Sequence, residues 1–273
     1  MVFPLRKGGS MRDKPTQPVL KLFVRAASDE PEITAGLRPR YSRYEARGYY
    51  LCPVGEAIGA YDPVENPQVA TDFARLGNGS LDDLVLFAER WGLLEAYDKP
   101  GDKVSWLRDH ATQVKLALDL LSGLHDEDVR RVTDALSGPV SSDTRRHLPI
   151  VLGQDEELDG CVYDLSSDPM RNADLVFESI VGANIRHLHP ELVRVGPGAK
   201  FEVHHHFDTT REAIYWHVAQ FAVRRGGLAR CEWCRRYFVM THGNQRYCPS
   251  DEYSESPCAL QARQARFRSK RHE

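Results

Sequence analysis

The sequence predicts a mainly α-helical protein of the α+β class, with a helical N-terminal body, a small mixed sheet and a cysteine-rich unit at the C-terminus. Three observations lead to this prediction. Apolar residues recur at three- and four-residue intervals through much of 66–223, and short apolar runs elsewhere are broken by proline and glycine. Four of the six cysteines lie between positions 231 and 258, which sets that region apart.

Composition divides the chain into three parts. Residues 1–18 are rich in Lys, Gly and Pro, and they are predicted to be a disordered lead-in. Residues 19–224 form the predicted body, and residues 225–273 form the C-terminal unit. Within the body, the runs "VLKLFV" and "YYLCPVGEAIGAY" predict short strands, and Cys52 is expected to be a small buried residue.

Capping signals mark the first helices of the body. Asn66 before Pro67 predicts one helix start, and Ser80 with Asp83 three residues later predicts a second through a capping box. Gly92 is expected to end that second helix.

From Val104 onward, the apolar residues at 107, 111, 114, 118 and 121 predict a long amphipathic helix. Asp126 is predicted to cap the next helix. The inward-facing residues of that helix are expected to be Val129, Val132 and Leu136.

The second half of the body contains strand and helix signals. "HLPIVL" and "GCVYDL" predict two strands, with Cys161 buried on the second. Asp168 before Pro169 predicts another helix, and Thr209 with Glu212 predicts a capping box for the last one. This last helix, "AIYWHVAQFAV", is apolar nearly all round and is therefore expected to be buried.

The cysteine spacing predicts a structural zinc site. Cys231 and Cys234 have the C-x₂-C spacing of a zinc knuckle, and the stretch up to Cys248 suits two strands around a turn at residues 242–244. Ser256 and Pro257 predict a helix whose opening turn contains Cys258, where the helix dipole favours a thiolate. Knuckle, hairpin and helix in this order predict a treble-clef-like fold. One Zn²⁺ per chain is expected, with four ligands: Cys231, Cys234, Cys248 and Cys258.

Other interpretations of the cysteines remain open. Two disulfides fit poorly with a chain that shows no export signal. A redox C-x-x-C is expected beside a βαβ unit, whereas "CEWC" precedes the predicted hairpin, so a redox motif also fits poorly. His242 is an alternative to one of the cysteine ligands. Four protein ligands leave no position for water, so the predicted ion stabilises the fold and does not catalyse a reaction.

Charge is distributed unevenly along the chain. The formal net charge of −3 combines +6 after residue 223 with −9 before it. A basic surface with interleaved aromatics on a rigid zinc unit predicts nucleic-acid binding, to duplex DNA in preference to RNA. Leu260 and Phe267 are expected to face the zinc core. The predicted nucleic-acid-binding residues are Arg235, Arg236, Arg246, Arg263, Arg266, Arg268, Lys270 and Arg271.

These features resemble a known family. A helical body ending in an apolar helix, C-x₂-C, a following aromatic, "RYC" and an Arg-rich terminal helix are similar to bacterial CGNR zinc-finger proteins with an ABATE-type N-terminal domain. The stretch "FARLGNGSLDDLVLFAERWGLL" is similar to the body of such proteins. The name-giving Cys-Gly-Asn-Arg is absent, because Cys258 is followed by Ala259 and Leu260. The resemblance implies a DNA-binding transcriptional regulator with the four cysteines as ligands.

Two further classes compete with a DNA-binding regulator. One is a zinc-stabilised protein-interaction module. The other is a metalloenzyme built on clustered histidines, although no H-E-x-x-H signature is present and the chain is predicted not to be an enzyme. The histidines concerned are His187, His189, His204, His205 and His206, and the run 204–206 is expected to be a polar loop.

The remaining expectations concern location and partners. No apolar run is long enough for a membrane span and no signal peptide is evident, so a cytoplasmic protein without a membrane partner is predicted. The initiator is Met1 or Met11. A small-molecule effector and self-association through the helical body stay open alternatives.

Overall fold

The computed structural model describes residues 37–95, 101–137, 168–186, 188, 190–194, 201–205, 207–224, 227–250 and 256–269, with the backbone alone for 190–194 and 201–205. The predicted lead-in at 1–18, the run "VLKLFV" and the two strands around Cys161 lie outside these residues.

Short antiparallel strands open the described part of the chain. β1 (Arg38–Tyr41) pairs with β4 (Ala57–Tyr61), and β2 (Tyr44–Arg47), β3 (Tyr50–Pro53) and β5 (Asp102–Lys103) form a second sheet. The run "YYLCPVGEAIGAY" therefore contains strands, as predicted. The prediction of a mixed sheet is wrong for the described residues, because every strand pair among them is antiparallel. Cys52 on β3 is half-buried and not fully enclosed.

Helices α1 (Gln68–Phe73) and α2 (Leu81–Trp91) follow. α1 begins one residue later than predicted, with Pro67 at the N-cap. The capping box of α2 is confirmed, since the Ser80 and Asp83 side chains each accept the other residue's backbone N–H. Gly92 ends α2 with φ of 73°, and a Cβ there would lie 2.8 Å from the Pro39 carbonyl oxygen. Only glycine fits this turn without strain.

α3 (Val104–His125) is the central helix, and all five of its predicted core positions are buried. α4 (Val129–Ser137) packs against it. The prediction that Asp126 caps α4 is wrong. Asp126 ends α3, Glu127 turns the chain with φ of 53°, and the Asp128 carboxylate accepts the Arg131 N–H at 3.0 Å. The aspartate nearest the helix can reach its free N–H groups, whereas Asp126 lies too early. Val132 is buried as predicted, but Val129 is half-exposed.

The two predicted late helices of the body are also present. α5 (Pro169–Ile185) starts at the Asp168 cap, and α6 (Thr210–Val223) starts at Thr209. The Thr209 hydroxyl accepts the Glu212 N–H, but the Glu212 carboxylate accepts the N–H of Asp208 and not that of the cap. α5 packs between α3 and α6, so these three helices enclose most of the apolar core.

The histidine run lies partly in a strand. β6 (Pro190–Arg194) pairs with β7 (Phe201–His205), which places the backbone of His204 and His205 in an antiparallel hairpin. The predicted polar loop is wrong for these two residues, and His187, His189 and His206 lie outside the described residues. No helix in the described ranges is long and apolar enough to cross a membrane.

His217 on α6 is a buried titratable group that ties this helix to the strand region. Its Nε2 lies 2.9 Å from the carbonyl oxygen of Pro63, so the neutral ring donates a hydrogen bond there. Burial lowers the pKa of His217 to about 4. The unfolded chain therefore binds more protons than the folded one between about pH 4 and 6.5, and stability falls as the pH falls through that window.

We expect His217→Gln, which keeps a donor for Pro63, to remove part of this pH dependence. In urea unfolding, the free energy of unfolding of the native sequence should drop between pH 7 and pH 5 by about 2 kcal/mol more than that of the variant. His125→Gln is the control, because His125 is exposed. Equal drops for the native sequence and His217→Gln would contradict a buried neutral histidine.

Candidate metal centre

A β-hairpin carries the C-x₂-C sequence in its turn. β8 (Leu228–Arg230) pairs with β9 (Tyr237–Val239), and residues 231–236 connect them. The Cys231 N–H donates to the Arg236 carbonyl at 2.8 Å, and the Arg235 N–H donates to the Cys231 carbonyl at 3.0 Å. Arg235 adopts a left-handed φ of 61°, which closes this turn.

The prediction of two strands around residues 242–244 is wrong. A turn does form there, since the Gln245 N–H donates to the His242 carbonyl at 3.2 Å. However, the only strand between Cys234 and Cys248 is β9, and its partner lies before the first cysteine. β9 forms its inter-strand hydrogen bonds with β8, across the cysteine turn. Local sequence patterns do not indicate which strand is the partner of β9.

The final helix brings the fourth cysteine to the hairpin. α7 (Pro257–Ser269) begins after Ser256, whose hydroxyl accepts the Ala259 N–H at 3.4 Å. Cys258 therefore lies in the first turn of the helix, as predicted. Residues 228–250, which include β8, the cysteine turn and β9, together with α7 are called the cysteine module below.

The four cysteine sulfur atoms form one cluster. They all lie within 4.8 Å of one another, with 3.9 Å between the Cys234 and Cys248 sulfurs and 3.4 Å between those of Cys248 and Cys258. All four are free thiols. Four sulfurs at 2.3 Å from a central ion lie about 3.8 Å apart in a tetrahedron. The cluster therefore has the dimensions of a tetrahedral metal–thiolate site.

The electrostatics of the cluster also suit a cation. Burial alone would raise the pKa of the Cys231 thiol. Backbone N–H groups of Cys234, Cys248 and Trp233 outweigh that effect and lower this pKa to about 7. Burial and the neighbouring sulfurs raise the pKa values of Cys248 and Cys258. Four adjacent thiolates repel one another, so a divalent cation is the charge that allows all of them to be deprotonated together.

The cysteine module is attached to the body through Tyr237. The Tyr237 ring is buried in the same apolar core as the body helices, and β9 packs against α1. Its hydroxyl donates to the Asp119 carboxylate on α3 at 2.7 Å, and Arg75 donates to its backbone carbonyl at 3.3 Å. The cluster begins six residues earlier in the same hairpin. Its position is therefore fixed relative to the helical body.

The predicted basic residues lie on the surface of this module. Arg246 is 70% exposed and lies 3.7 Å from the Glu232 carboxylate, while Arg266 on α7 donates to the Tyr247 hydroxyl at 2.7 Å. Lys270 and Arg271 lie outside the described residues. Six of the predicted arginines are described and exposed, and they are called the module arginines: Arg235, Arg236, Arg246, Arg263, Arg266 and Arg268.

Two apolar residues of α7 are not where the sequence predicted. Leu260 and Phe267 are 43% and 64% exposed, so they do not face the cluster of cysteine sulfurs. Ala262 is the buried residue of α7. A helix whose first turn already supplies a ligand to the cluster lies close to the hairpin, and the small Ala262 suits that contact better than a large side chain.

No histidine among the described side chains takes part in the cluster. His242 is exposed and is not among the four grouped side chains. Among the side chains that the structure describes, which exclude those of β6 and β7, no second group of potential metal ligands occurs.

Sequence reasoning missed several residues around the module. Aromatics interleaved with basic residues predict a surface, yet Tyr237, which lies among them, is buried in the core. The sequence patterns did not indicate Arg230, Arg75 or Asp119. Arg230 directly precedes Cys231 in the sequence, and this position beside a predicted ligand could have indicated that Arg230 lies in the module. The involvement of Arg75 and Asp119 depends on contacts more than 100 residues apart, which no local pattern encodes.

Comparison with known proteins adds no relative. No model of a known protein family matches the chain, and a search of curated proteins finds no match either. The inference of a metal centre therefore rests on the geometry of the four cysteines.

We expect Tyr237→Phe to lower the free energy of unfolding by about 1–2 kcal/mol, because it removes a partly buried hydrogen bond to a carboxylate. Asp119 would keep Lys115 as its partner. Denaturant unfolding followed by tryptophan fluorescence measures the effect. Tyr247→Phe is the matched control and should change stability by less than about 0.5 kcal/mol, since its hydroxyl bond is exposed. If both variants had the same small effect, Tyr237 would not be the attachment point.

Proposed function

We propose that the chain is a zinc-containing DNA-binding protein, a transcriptional regulator whose cysteine module binds duplex DNA through the module arginines. The observation that carries this proposal is the four-sulfur cluster, which holds the arginine-bearing turn and the arginine-bearing helix α7 together on one small unit. In this proposal the ion is structural and the DNA contacts come from side chains around it.

Zinc is the ion that the ligand set favours. Four thiolate sulfurs in a tetrahedral arrangement suit Zn²⁺ or an iron–sulfur centre. A C-x₂-C turn and a ligand in the first turn of a helix are typical of structural zinc sites, which fill every coordination position with protein ligands. A closed site of this kind leaves no position for a substrate, which supports a role other than catalysis.

Exposed arginines support nucleic-acid binding. All six module arginines are exposed, and they come from both the cysteine turn and α7. Arginine forks donate two parallel hydrogen bonds to phosphate, and a rigid support reduces the entropy lost on binding. Residues 1–223 carry a formal net charge of −9, so this part of the chain would repel phosphate and restrict DNA to the module.

The resemblance to CGNR zinc-finger proteins supports the same role. A turn with two cysteines and a later helix with a ligand in its first turn are two of the three parts expected of a treble-clef-like module. We include the treble-clef-like fold, the ABATE-like nature of the body and a cytoplasmic location in the proposal.

A protein-interaction module is the second candidate. Three large apolar side chains of the cysteine module are exposed: Trp233, Leu260 and Phe267. Exposed apolar residues on a metal-stabilised unit also suit a protein partner. The two functions differ in their dependence on salt, because releasing counterions from DNA makes its binding strongly salt-dependent.

The protein as purified without chelator should contain one zinc per chain by elemental analysis. Cys248→Ser should lose this metal and the folding of the cysteine module, because metal binding and folding are coupled in such sites. Cys52→Ser, outside the cluster, is the control and should keep the metal. Purified protein that holds no zinc, or a Cys248→Ser variant that retains a full equivalent, would refute the zinc proposal.

For DNA, the test is the slope of log affinity against log salt. Replacing Arg263, Arg266 and Arg268 together by Gln should flatten that slope by roughly 2–3, since each lost phosphate contact removes about 0.9. Binding to all sequences should weaken alike, whereas Arg236→Gln should relax sequence preference instead.

A control with the same charge change separates specific contacts from net charge. Arg43, Arg47 and Arg171 are exposed arginines of the body, and their joint replacement by Gln should leave the slope unchanged. Equal slopes for both triple variants and the native sequence, with zinc retained, would contradict DNA binding by the module and favour the protein-interaction module.

A further inference from the structure

Trp233 is an exposed tryptophan in the middle of the cysteine turn, with 44% of its surface accessible to solvent. The other three tryptophans of the chain each pack against a second aromatic ring, and these are Trp91, Trp106 and Trp216. Among the residues that the structure describes, the Trp233 indole has no hydrogen bond, ring contact or cation–π contact. Single exposed apolar residues are common on protein surfaces. Two further features, the support of its turn and the charge around it, distinguish Trp233.

The turn that carries Trp233 is held at several points. The Glu232 N–H, next in the chain, donates to the Arg246 carbonyl at 3.0 Å. The Arg230 guanidinium donates to the Arg235 carbonyl at 2.9 Å on the other side of the turn. The cysteines at 231 and 234 also belong to the sulfur cluster. A tryptophan has two side-chain torsions, so on this support it loses little conformational freedom when it binds a partner.

The charge around Trp233 favours a polyanion. Arg235 follows it by two residues, and Arg246 lies across the backbone hydrogen bond from Glu232. Residues 228–250 and 257–269 contain seven arginines and one carboxylate, that of Glu232, which lies 3.7 Å from Arg246. Four thiolates around a divalent ion would add a charge of −2, so the module keeps a formal charge of +4. Nucleic-acid phosphates are attracted to such a surface.

The chemical group on a nucleic acid that matches an exposed indole is the face of a base. Every base has a π face, and aromatic side chains stack on bases in proteins that bind single strands. In a fully paired duplex these faces are covered by the neighbouring base pairs, and only base edges reach the grooves. An unpaired base is easily taken out of the stack, which makes its face accessible. Trp233 is therefore suited to a base that has no pairing partner.

We propose that Trp233 stacks on an unpaired base, so that the cysteine module binds DNA with a locally unpaired base in preference to fully paired DNA. The module arginines contact the phosphates on either side of that base. Stacking of this kind rests on the proposed function, because it requires that the module binds DNA. Stacking accepts all four bases, so the preference concerns the structure of the DNA and not its sequence.

Fluorescence anisotropy of the full-length, zinc-loaded protein with two labelled duplexes tests this stacking. One duplex is fully paired, and the other has the same sequence with one additional unpaired adenine at its centre. We expect the native sequence to bind the bulged duplex about tenfold more tightly at equal salt, a factor in the range for stacking on one base. Trp233→Phe keeps an aromatic face and should keep most of this preference. Trp233→Leu keeps only an apolar side chain and should reduce the preference to less than about twofold.

Tyr49→Leu is the matched control. Tyr49 is 80% exposed and lies in the body, between β2 and β3, so its replacement should leave the preference at its native value. The zinc content of each variant shows whether the module is intact, and every variant should hold a full equivalent because neither side chain belongs to the sulfur cluster. In a second readout, 2-aminopurine replaces the unpaired adenine. Stacking quenches its fluorescence, so the native sequence and Trp233→Phe should quench it and Trp233→Leu should not.

Duplex binding and base stacking can fail separately in this experiment. Equal affinity of the native sequence for both duplexes overturns the stacking of Trp233 and leaves DNA binding by the arginines intact. An unchanged preference in Trp233→Leu also overturns it, because the preference would then come from the bent shape of bulged DNA. Binding to the bulged duplex alone supports stacking and refutes paired duplex DNA as the target. Failure to bind either duplex refutes both the proposed function and the stacking, and it favours a protein partner for Trp233.

Discussion

The attachment of Tyr237 to the body is the interaction on which the arrangement of this molecule depends. Its ring extends the apolar core of the helices into the cysteine hairpin, and its hydroxyl is bonded to Asp119 on the central helix α3. A phenol at this position satisfies both a buried apolar contact and a carboxylate, which no purely apolar or purely polar side chain does. Because β9 is fixed in this way, the cysteine turn lies at a defined place beside α1 and α2, and a cleft forms between them.

The cysteine cluster depends on a second constraint, the repulsion between neighbouring thiolates. Backbone N–H groups of the turn favour the thiolate of Cys231, while the pKa values of Cys248 and Cys258 are raised by burial and by the sulfurs beside them. Without a cation, the neighbouring thiolates repel one another and cannot all be deprotonated together. A bound cation would compensate their negative charge and would link the hairpin to α7. The exposed arginines follow from the same geometry, because a module of this size has few interior positions and places its long charged side chains in solvent.

Local patterns in the sequence predicted the helices well and the tertiary contacts poorly. The spacing of apolar residues located α3, and the Ser80–Asp83 pair located the start of α2, because both signals involve neighbours within one or two helical turns. The grouping of four cysteines followed from their spacing alone. Asp126 was assigned to the wrong helix because two aspartates lie within three residues, and only the turn at Glu127 decides between them. The partner of β9 and the outward position of Phe267 depend on packing between distant segments, which periodicity does not report.

We propose that one metal ion with four sulfur ligands organises the module that presents the arginines. X-ray absorption spectroscopy at the zinc edge of the protein as purified tests it most directly. We predict four sulfur scatterers at about 2.3 Å and no nitrogen or oxygen in the first coordination shell. A shell that contains histidine nitrogen or water oxygen would contradict the account, since the site would then be open or would include ligands other than the four clustered cysteines.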